Sequence, residues 1–224
     1  MLVALWIVLP LASARAGVVI GGTRFIYEAG RASLSVPVRN TSDTSWLIDS
    51  HVSTAARWPG AVAALTGTSP FLIAPPLFTL AAGQENTLRL IYDGAALPND
   101  KESLFTLSIA AIPSGKPGSN SVQMGFRSSM KLIYRPAGLT GDPALAYRQL
   151  RWSRRQNGLA VSNPTPYYIT LFSLDINGRP VNNAGVVAPF ATRLIAGCAQ
   201  AACLLRWQSI NDYGRVMPPV NATP

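Results

Sequence analysis

Few residues in this chain have the types and spacing that chemistry demands. The 224 residues hold one histidine, His51, and two cysteines, Cys198 and Cys203. A zinc site of the usual four Cys/His ligands cannot be assembled from that stock, and the histidine-rich site of a copper–zinc dismutase sandwich is excluded by the same count. A Ser-His-Asp triad would run entirely through His51, which lies in Asp49-Ser50-His51-Val52-Ser53. Neighbours on one strand alternate faces, however, and no nucleophile-elbow pattern occurs. The expectation is a protein that is not an enzyme and holds no metal or cofactor. Cys198 and Cys203 flank Ala199-Gln200-Ala201-Ala202. That spacing suits a structural hairpin clip in an oxidising compartment better than a C-x-x-C redox pair.

Charge is the next possible source of function. There are 19 Lys and Arg against 10 Asp and Glu, a net charge of +9, which suggests an anionic partner. The densest basic cluster, Arg148, Arg151, Arg154 and Arg155, is interleaved only with Tyr147 and Trp152 and reads as solvated surface. It lacks the aromatic–basic platform of a nucleic-acid binder. The apolar run Leu2–Ala12 followed by Ala14-Arg15-Ala16 reads as a secretory signal over residues 1–16, although no Lys or Arg precedes the run. It is shorter than the roughly 20 apolar residues a membrane span needs. Export also argues against a nucleic-acid partner.

The elements that would position these residues are strands. Hydrophobic residues make up 48% of the chain and charged residues 13%, with 18 Gly and 18 Pro, a turn-rich composition with ample core material. Period-two alternation predicts strands over 32–38, 46–52, 71–76, 86–92, 104–112, 158–162, 167–176 and 203–210, with an Asn177-Gly178 hairpin turn. The double proline Pro75-Pro76 marks an edge or switching strand. From Val122 to Tyr134 the even positions Val122, Met124, Phe126, Met130, Leu132 and Tyr134 form an apolar row interrupted at Ser128. One strand over that whole stretch would run roughly 43 Å, about twice the usual length. Two readings fit: a core strand continuing through a bulge near Ser128, or a strand whose first half outreaches its sheet as an exposed edge. Pro136-Ala137-Gly138-Leu139-Thr140-Gly141-Asp142-Pro143 reads as a linker. Two β-sandwich domains with a boundary near residue 138 follow.

Several stretches are recognisable as well as patterned. Lys131-Leu132-Ile133-Tyr134-Arg135-Pro136, Leu97-Pro98-Asn99-Asp100-Lys101-Glu102-Ser103-Leu104-Phe105, Phe71–Phe78, Asn163-Pro164-Thr165-Pro166-Tyr167-Tyr168 and Ile210-Asn211-Asp212-Tyr213-Gly214 occur in the order of periplasmic pilus-assembly chaperones of the chaperone–usher pathway. The sequence resembles that family over essentially all of the mature chain. The resemblance implies an all-β protein of two immunoglobulin-like sandwiches set as a boomerang: a domain over 17–137, a linker over 138–143 and a second domain over 144–224. It implies a periplasmic chaperone that captures pilus subunits, lends each a strand, and passes it to an outer-membrane usher without ATP or nucleic acid. It places the donated row on Val122, Met124 and Phe126, and a grip for the subunit's terminal carboxylate on Arg24 and Lys131. An interdomain ion network falls on Glu102, Arg135 and Asp212. The exposed strand makes a self-capping homodimer plausible. Asn99 and Lys101 depart from the usual motif, and Arg215 stands where a second glycine is common. The short Pro113–Asn120 connection and the absence of cysteines from the first domain resemble the short-loop branch. A pilus subunit, the rival among exported sandwiches, would be one domain lacking its last strand.

Overall fold

Several strands in the first half of the chain hide every second side chain, whereas Ser103–Ala111 is buried on both faces. In Leu34–Asn40, for example, Val36, Val38 and Asn40 are buried while Ser35, Pro37 and Arg39 are exposed, the signature of a sheet with one face on a core. The protein was analysed as a computed structural model, which describes residues 17–63, 68–115, 122–156, 158–198 and 202–224. The expected signal at 1–16 lies outside the described residues.

Among the described residues, nine strands build the first sandwich: β1 (Val18–Ile20), β2 (Arg24–Glu28), β3 (Leu34–Asn40), β4 (Trp46–Thr54), β5 (Phe71–Ala74), β6 (Leu77–Leu80), β7 (Glu85–Tyr92), β8 (Ser103–Pro113) and β9 (Phe126–Arg135). They form a four-stranded sheet in the order β1-β3-β7-β5 and a five-stranded sheet in the order β2-β9-β8-β4-β6. The chain changes sheet at every step from β1 to β8. One crossing lies between β1 and β2, and another at Pro75-Pro76 between β5 and β6, both edge strands. Prolines lack the N–H that a central ladder needs, so the crossing falls where no ladder bond is lost.

The second sandwich contains β10 (Arg151–Arg155), β11 (Gly158–Ser162), β12 (Ile169–Ile176), β13 (Arg179–Pro180), β14 (Val186–Val187), β15 (Thr192–Ile195), β16 (Leu205–Ser209) and β17 (Val220–Ala222). One sheet is ordered β10-β11-β15 and the other β13-β12-β16-β17, with β14 also on β12. Asn177 and Gly178 both have positive φ, 52° and 75°, as the predicted hairpin turn requires. Cys198 and Cys203 are disulfide-bonded, with Cα atoms 6.2 Å apart.

Each sandwich has its own core, and a third cluster lies between them. Ala55, Leu104 and Ile133 of the first meet Tyr168, Val186 and Ala188 of the second. Each sandwich also carries a buried asparagine used in the same way. Asn40 Nδ2 donates to the carbonyls of Thr44, Leu80 and Ala81, and Asn163 Nδ2 donates to those of Tyr167, Val187 and Ala188. Their Oδ1 atoms accept from Ser42 and Thr165 respectively. Asn163→Ala strands several buried polar groups, each worth about 1–3 kcal/mol. Its expected cost is about 3 kcal/mol, read as a lowered urea midpoint at unchanged slope.

The long strand departs from expectation. It begins at Phe126 and not at Val122, because its last ladder pair is Ala111↔Phe126 and β8 stops at Pro113. β8 runs two residues past Ala111, so Gly125 and Met124 still lie opposite Ile112 and Pro113 without pairing, and Val122 and Gln123 run beyond its end. No bulge occurs near Ser128; the register from Phe126 to Tyr134 is unbroken.

Candidate functional site

The two neighbours of β9 are unequal in length. On one side β8 pairs with it from Phe126 to Tyr134. On the other, β2 runs parallel and covers only Lys131–Arg135, from Arg24↔Lys131 to Glu28↔Arg135. No described strand pairs with Phe126–Met130 on that second side. This half-edge continues into residues that reach into solvent: Val122, Met124 and Phe126 are 90%, 78% and 40% exposed. An open edge flanked by exposed apolar side chains is what proteins normally avoid unless a partner strand is meant to add there.

Where β2 begins to close the edge, two cations sit on adjacent strands. Arg24, only 9% exposed, donates from Nη1 to the Ile210 carbonyl at 2.6 Å and the Asn211 carbonyl at 3.2 Å. Its Nε is buried without a partner among the described residues. Burial lowers its pKa, against the opposing pull of Asp212 and Glu102. Lys131 Nζ lies 3.9 Å above the centre of the Trp58 ring. Burial, and then the neighbouring Arg24 charge, hold the ammonium down to about 8. With Thr23, Thr170 and Ile210 they line one small cleft of about 150 Å³ between the two sandwiches. The Thr170 hydroxyl is also buried and unpartnered. Two cations and unfilled donors around one space suit an anion, whose charge-assisted hydrogen bonds would satisfy them.

Behind the cleft, Arg135 ties the sandwiches together. It meets Glu102 Oε1 at 2.6 Å from Nη2 and 2.7 Å from Nε, and Asp212 Oδ2 at 2.7 Å from Nη1. Glu102 is 3% exposed, and its Oε2 accepts the Tyr168 backbone N–H at 2.6 Å. Burial pushes the Glu102 carboxyl up, opposed by Arg135 and that N–H. Burial alone would lower Arg135, but Asp212 and Glu102 outweigh it and raise the guanidinium. Asp212 follows Ile210 and Asn211, so one short segment of the second sandwich engages both Arg24 and Arg135.

The sequence alone gave no hint of Trp58, of the 210–211 carbonyls on Arg24, or of Thr170 in the cleft. Trp58 lies outside any alternating pattern, and a backbone carbonyl carries no sequence signal. The Asp49–Ser53 cluster does no chemistry. Asp49 and His51 both face Arg127, at 3.5 and 3.3 Å, whereas Ser50 is buried.

Residues 17–140 match the family described as "Pili and flagellar-assembly chaperone, PapD N-terminal domain", and residues 145–220 match "Pili assembly chaperone PapD, C-terminal domain". The chain belongs to the pilus-assembly chaperones. Among similar proteins, the fimbrial chaperone YcbF of Escherichia coli K12 is 50% identical over 202 residues, covering 89% of this chain and 85% of YcbF. Chaperone protein FimC of the same strain is 37% identical over 210 residues, covering 92% of this chain and 83% of FimC. The structure resembles that of the Salmonella enterica SafB chaperone solved with the SafA pilin, with TM-score 0.81 and 32% identity over 93% of this chain and 96% of the other. This chaperone is thus a non-enzymatic, all-β protein of two immunoglobulin-like sandwiches, and its likeness to FimC is consistent with the short-loop branch.

Proposed function

We propose that this chaperone works in the periplasm, captures pilus subunits in the cleft between its sandwiches, and delivers them to an outer-membrane usher. The observation that carries the reading is the half-open edge of β9 ending at Arg24 and Lys131. A subunit strand adds along Phe126–Met130, and the stretch from Val122 extends the pairing. Val122, Met124 and Phe126 enter the subunit's open groove. Burying three such side chains contributes roughly 5–8 kcal/mol before association costs. Arg24 and Lys131 take the subunit's terminal carboxylate, which fixes the register of the pairing. Glu102, Arg135 and Asp212 set the angle between the sandwiches. Support for dividing the chain into 17–137, a 138–143 linker and 144–224 comes from the positive φ of Gly138 and Gly141, between β9 and β10. Without a subunit, the same edge pairs with a second copy and caps it as a homodimer.

Co-purification tests the proposal. A tagged chaperone is expressed with the pilins encoded beside it, next to an Arg24→Ala/Lys131→Ala variant. A pilin that elutes with the native protein and is lost from the variant is the expected result. Retention by both would overturn the anchor, and recovery of no pilin by a folded, exported chaperone would overturn subunit capture itself.

A further inference from the structure

We propose that Trp58 is the positioning residue of the anchor, its indole face holding the Lys131 ammonium at the point where a carboxylate arrives. The inference rests on Lys131 being that anchor. A lysine ammonium sits at the end of a flexible four-carbon stem and loses much rotamer freedom when it is fixed. Neither the backbone pairing with Arg24 nor β8 restrains that stem. The restraint visible in the structure is the ring of Trp58, 3.9 Å from Nζ, well within the range of cation–π attraction, which strengthens as water is excluded.

The ring is itself held firmly. Trp58 follows a single 3₁₀ turn, Ala55–Arg57, and its N–H donates to the Ala55 carbonyl at 2.9 Å. It packs against the interdomain cluster that contains Leu104, Ile133 and Tyr168. The next residue is clamped by the second sandwich: Pro59 O accepts from Val186 N and from Arg193 Nη1, both at 2.8 Å. That approach leaves no room for side chains. A Cβ at Gly60 would lie 2.1 Å from the Val186 carbonyl oxygen, and one at Gly185 would lie 2.2 Å from that of Pro59. Both glycines also have positive φ, 83° and 75°, so the backbone independently favours glycine there.

The other nearby cation does not compete for the ring. Arg57 lies 5.7 Å from the ring centre and spends its Nη1 on Ser129 Oγ at 2.8 Å. Ser129 precedes Lys131 by two residues on the same face of β9, so the arginine occupies the neighbouring place along the strand. The charged and titratable groups around the ammonium are Arg24 on β2 and Arg57 on the turn, with Arg127, His51 and Asp49 further along the same face in one direction and Arg135, with its Glu102 and Asp212, in the other. Thr170 and Ile210, from the second sandwich, are uncharged. Removing the indole frees the ammonium to move and removes an attraction that exists only for its charged form. Recognition of an anion is then weakened while backbone pairing of the same peptide is not, which a general loss of packing would not do.

The test measures, from pH 6 to 10, the affinity of the full mature chaperone for a peptide copying the C-terminal strand of its neighbouring pilin. The peptide is used with a free carboxylate and as its C-terminal amide. Trp58→Leu is expected to weaken the acid peptide about tenfold at pH 7 while leaving the amide unchanged. Trp58→Phe should restore most of the affinity for the acid peptide. Equal weakening of acid and amide would overturn the proposal, as would a failure of Trp58→Phe to restore affinity. In the unmutated protein, the Lys131 Cε protons should resonate upfield under the ring current and move on adding the acid peptide. Their absence from the upfield region also overturns it, whether or not the leucine variant folds. If the unmutated chaperone binds acid and amide equally, the carboxylate anchor itself fails and Trp58 loses its role with it. That failure shows in the unmutated protein before any change to Trp58.

Discussion

Arg135→Ala is expected to lower stability by about 3–5 kcal/mol and to uncouple the unfolding of the two sandwiches. The size follows from what the arginine leaves behind. Glu102 is 3% exposed and would keep only the Tyr168 N–H, at 2.6 Å, as compensation for its charge. Asp212 has a side chain 23% exposed and can turn to water at less cost. The Glu102 carboxyl is already held above its ordinary 4.5 by burial, and losing Arg135 removes the main opposing influence. A carboxyl raised on folding binds more protons in the native than in the unfolded state, so its contribution to stability falls as pH rises above about 4.5. The variant should therefore be less impaired at pH 5 than at pH 8. Urea unfolding at both values, with domain-specific tryptophan signals, tests this. An Arg135→Ala/Glu102→Gln double variant should recover much of the loss, because a neutral amide oxygen still accepts the Tyr168 N–H. A single transition with unchanged midpoint in Arg135→Ala would show that the third hydrophobic cluster alone holds the sandwiches together.

The second large effect is on binding. On the proposed reading, carboxylate capture requires Lys131 to be charged, and burial and Arg24 hold its ammonium down to about 8 in the free chaperone. A bound carboxylate stabilises the ammonium and raises that value, so capture takes up a proton. Below pH 8 the proton is already present and affinity is flat. Above it, affinity should fall by up to tenfold per pH unit until the bound complex also titrates. Stability of the free chaperone runs the other way. A lysine whose pKa drops on folding binds fewer protons in the native state, so stability improves as pH rises from about 8 to 10.5. Isothermal titration in buffers of different ionisation enthalpy measures the uptake directly. Lys131→Ala should bind weakly at every pH and take up no proton near pH 8. An uptake that persists in that variant would assign the titration to another group.

Regular alternation made much of this architecture legible. Gly158–Ser162 falls on β11 as expected, and strands at 86–92 and 104–112 match β7 and β8 to within a residue at each end. The double proline marked the crossing between β5 and β6. Other strands were hidden for physical reasons. In β10, Arg151–Arg155, a sheet edge is lined with arginines, so a protected edge looked like loop surface. The end of the Val122 row could not be read from its own residues, because its apolar alternation continues past Phe126, where the ladder stops. Position in the cleft was the least accessible of all. The parallel pairing of Arg24 with Lys131 joins distant parts of the chain, and neither residue's neighbours encode it. Both came from the family resemblance, whereas Trp58 came from neither pattern nor resemblance.

With Arg24 and Lys131 as the proposed anchor, the crossing between β1 and β2 turns the site into a ruler. Arg24 is the first residue of β2, so the strand that closes the edge of β9 and the guanidinium that lines the cleft start at the same place. A guest strand gripped at its last atom is thereby measured off from a fixed zero. Five residue steps, about 17 Å, separate Lys131 from Phe126, and each side chain of the guest meets a counted position along that scale. Moving the pair of cations by one residue along β9 would move the zero, and with it the guest's apolar row would turn to the opposite face. How much of a foreign strand this protein accommodates is thus set by where its own first strand changes sheets.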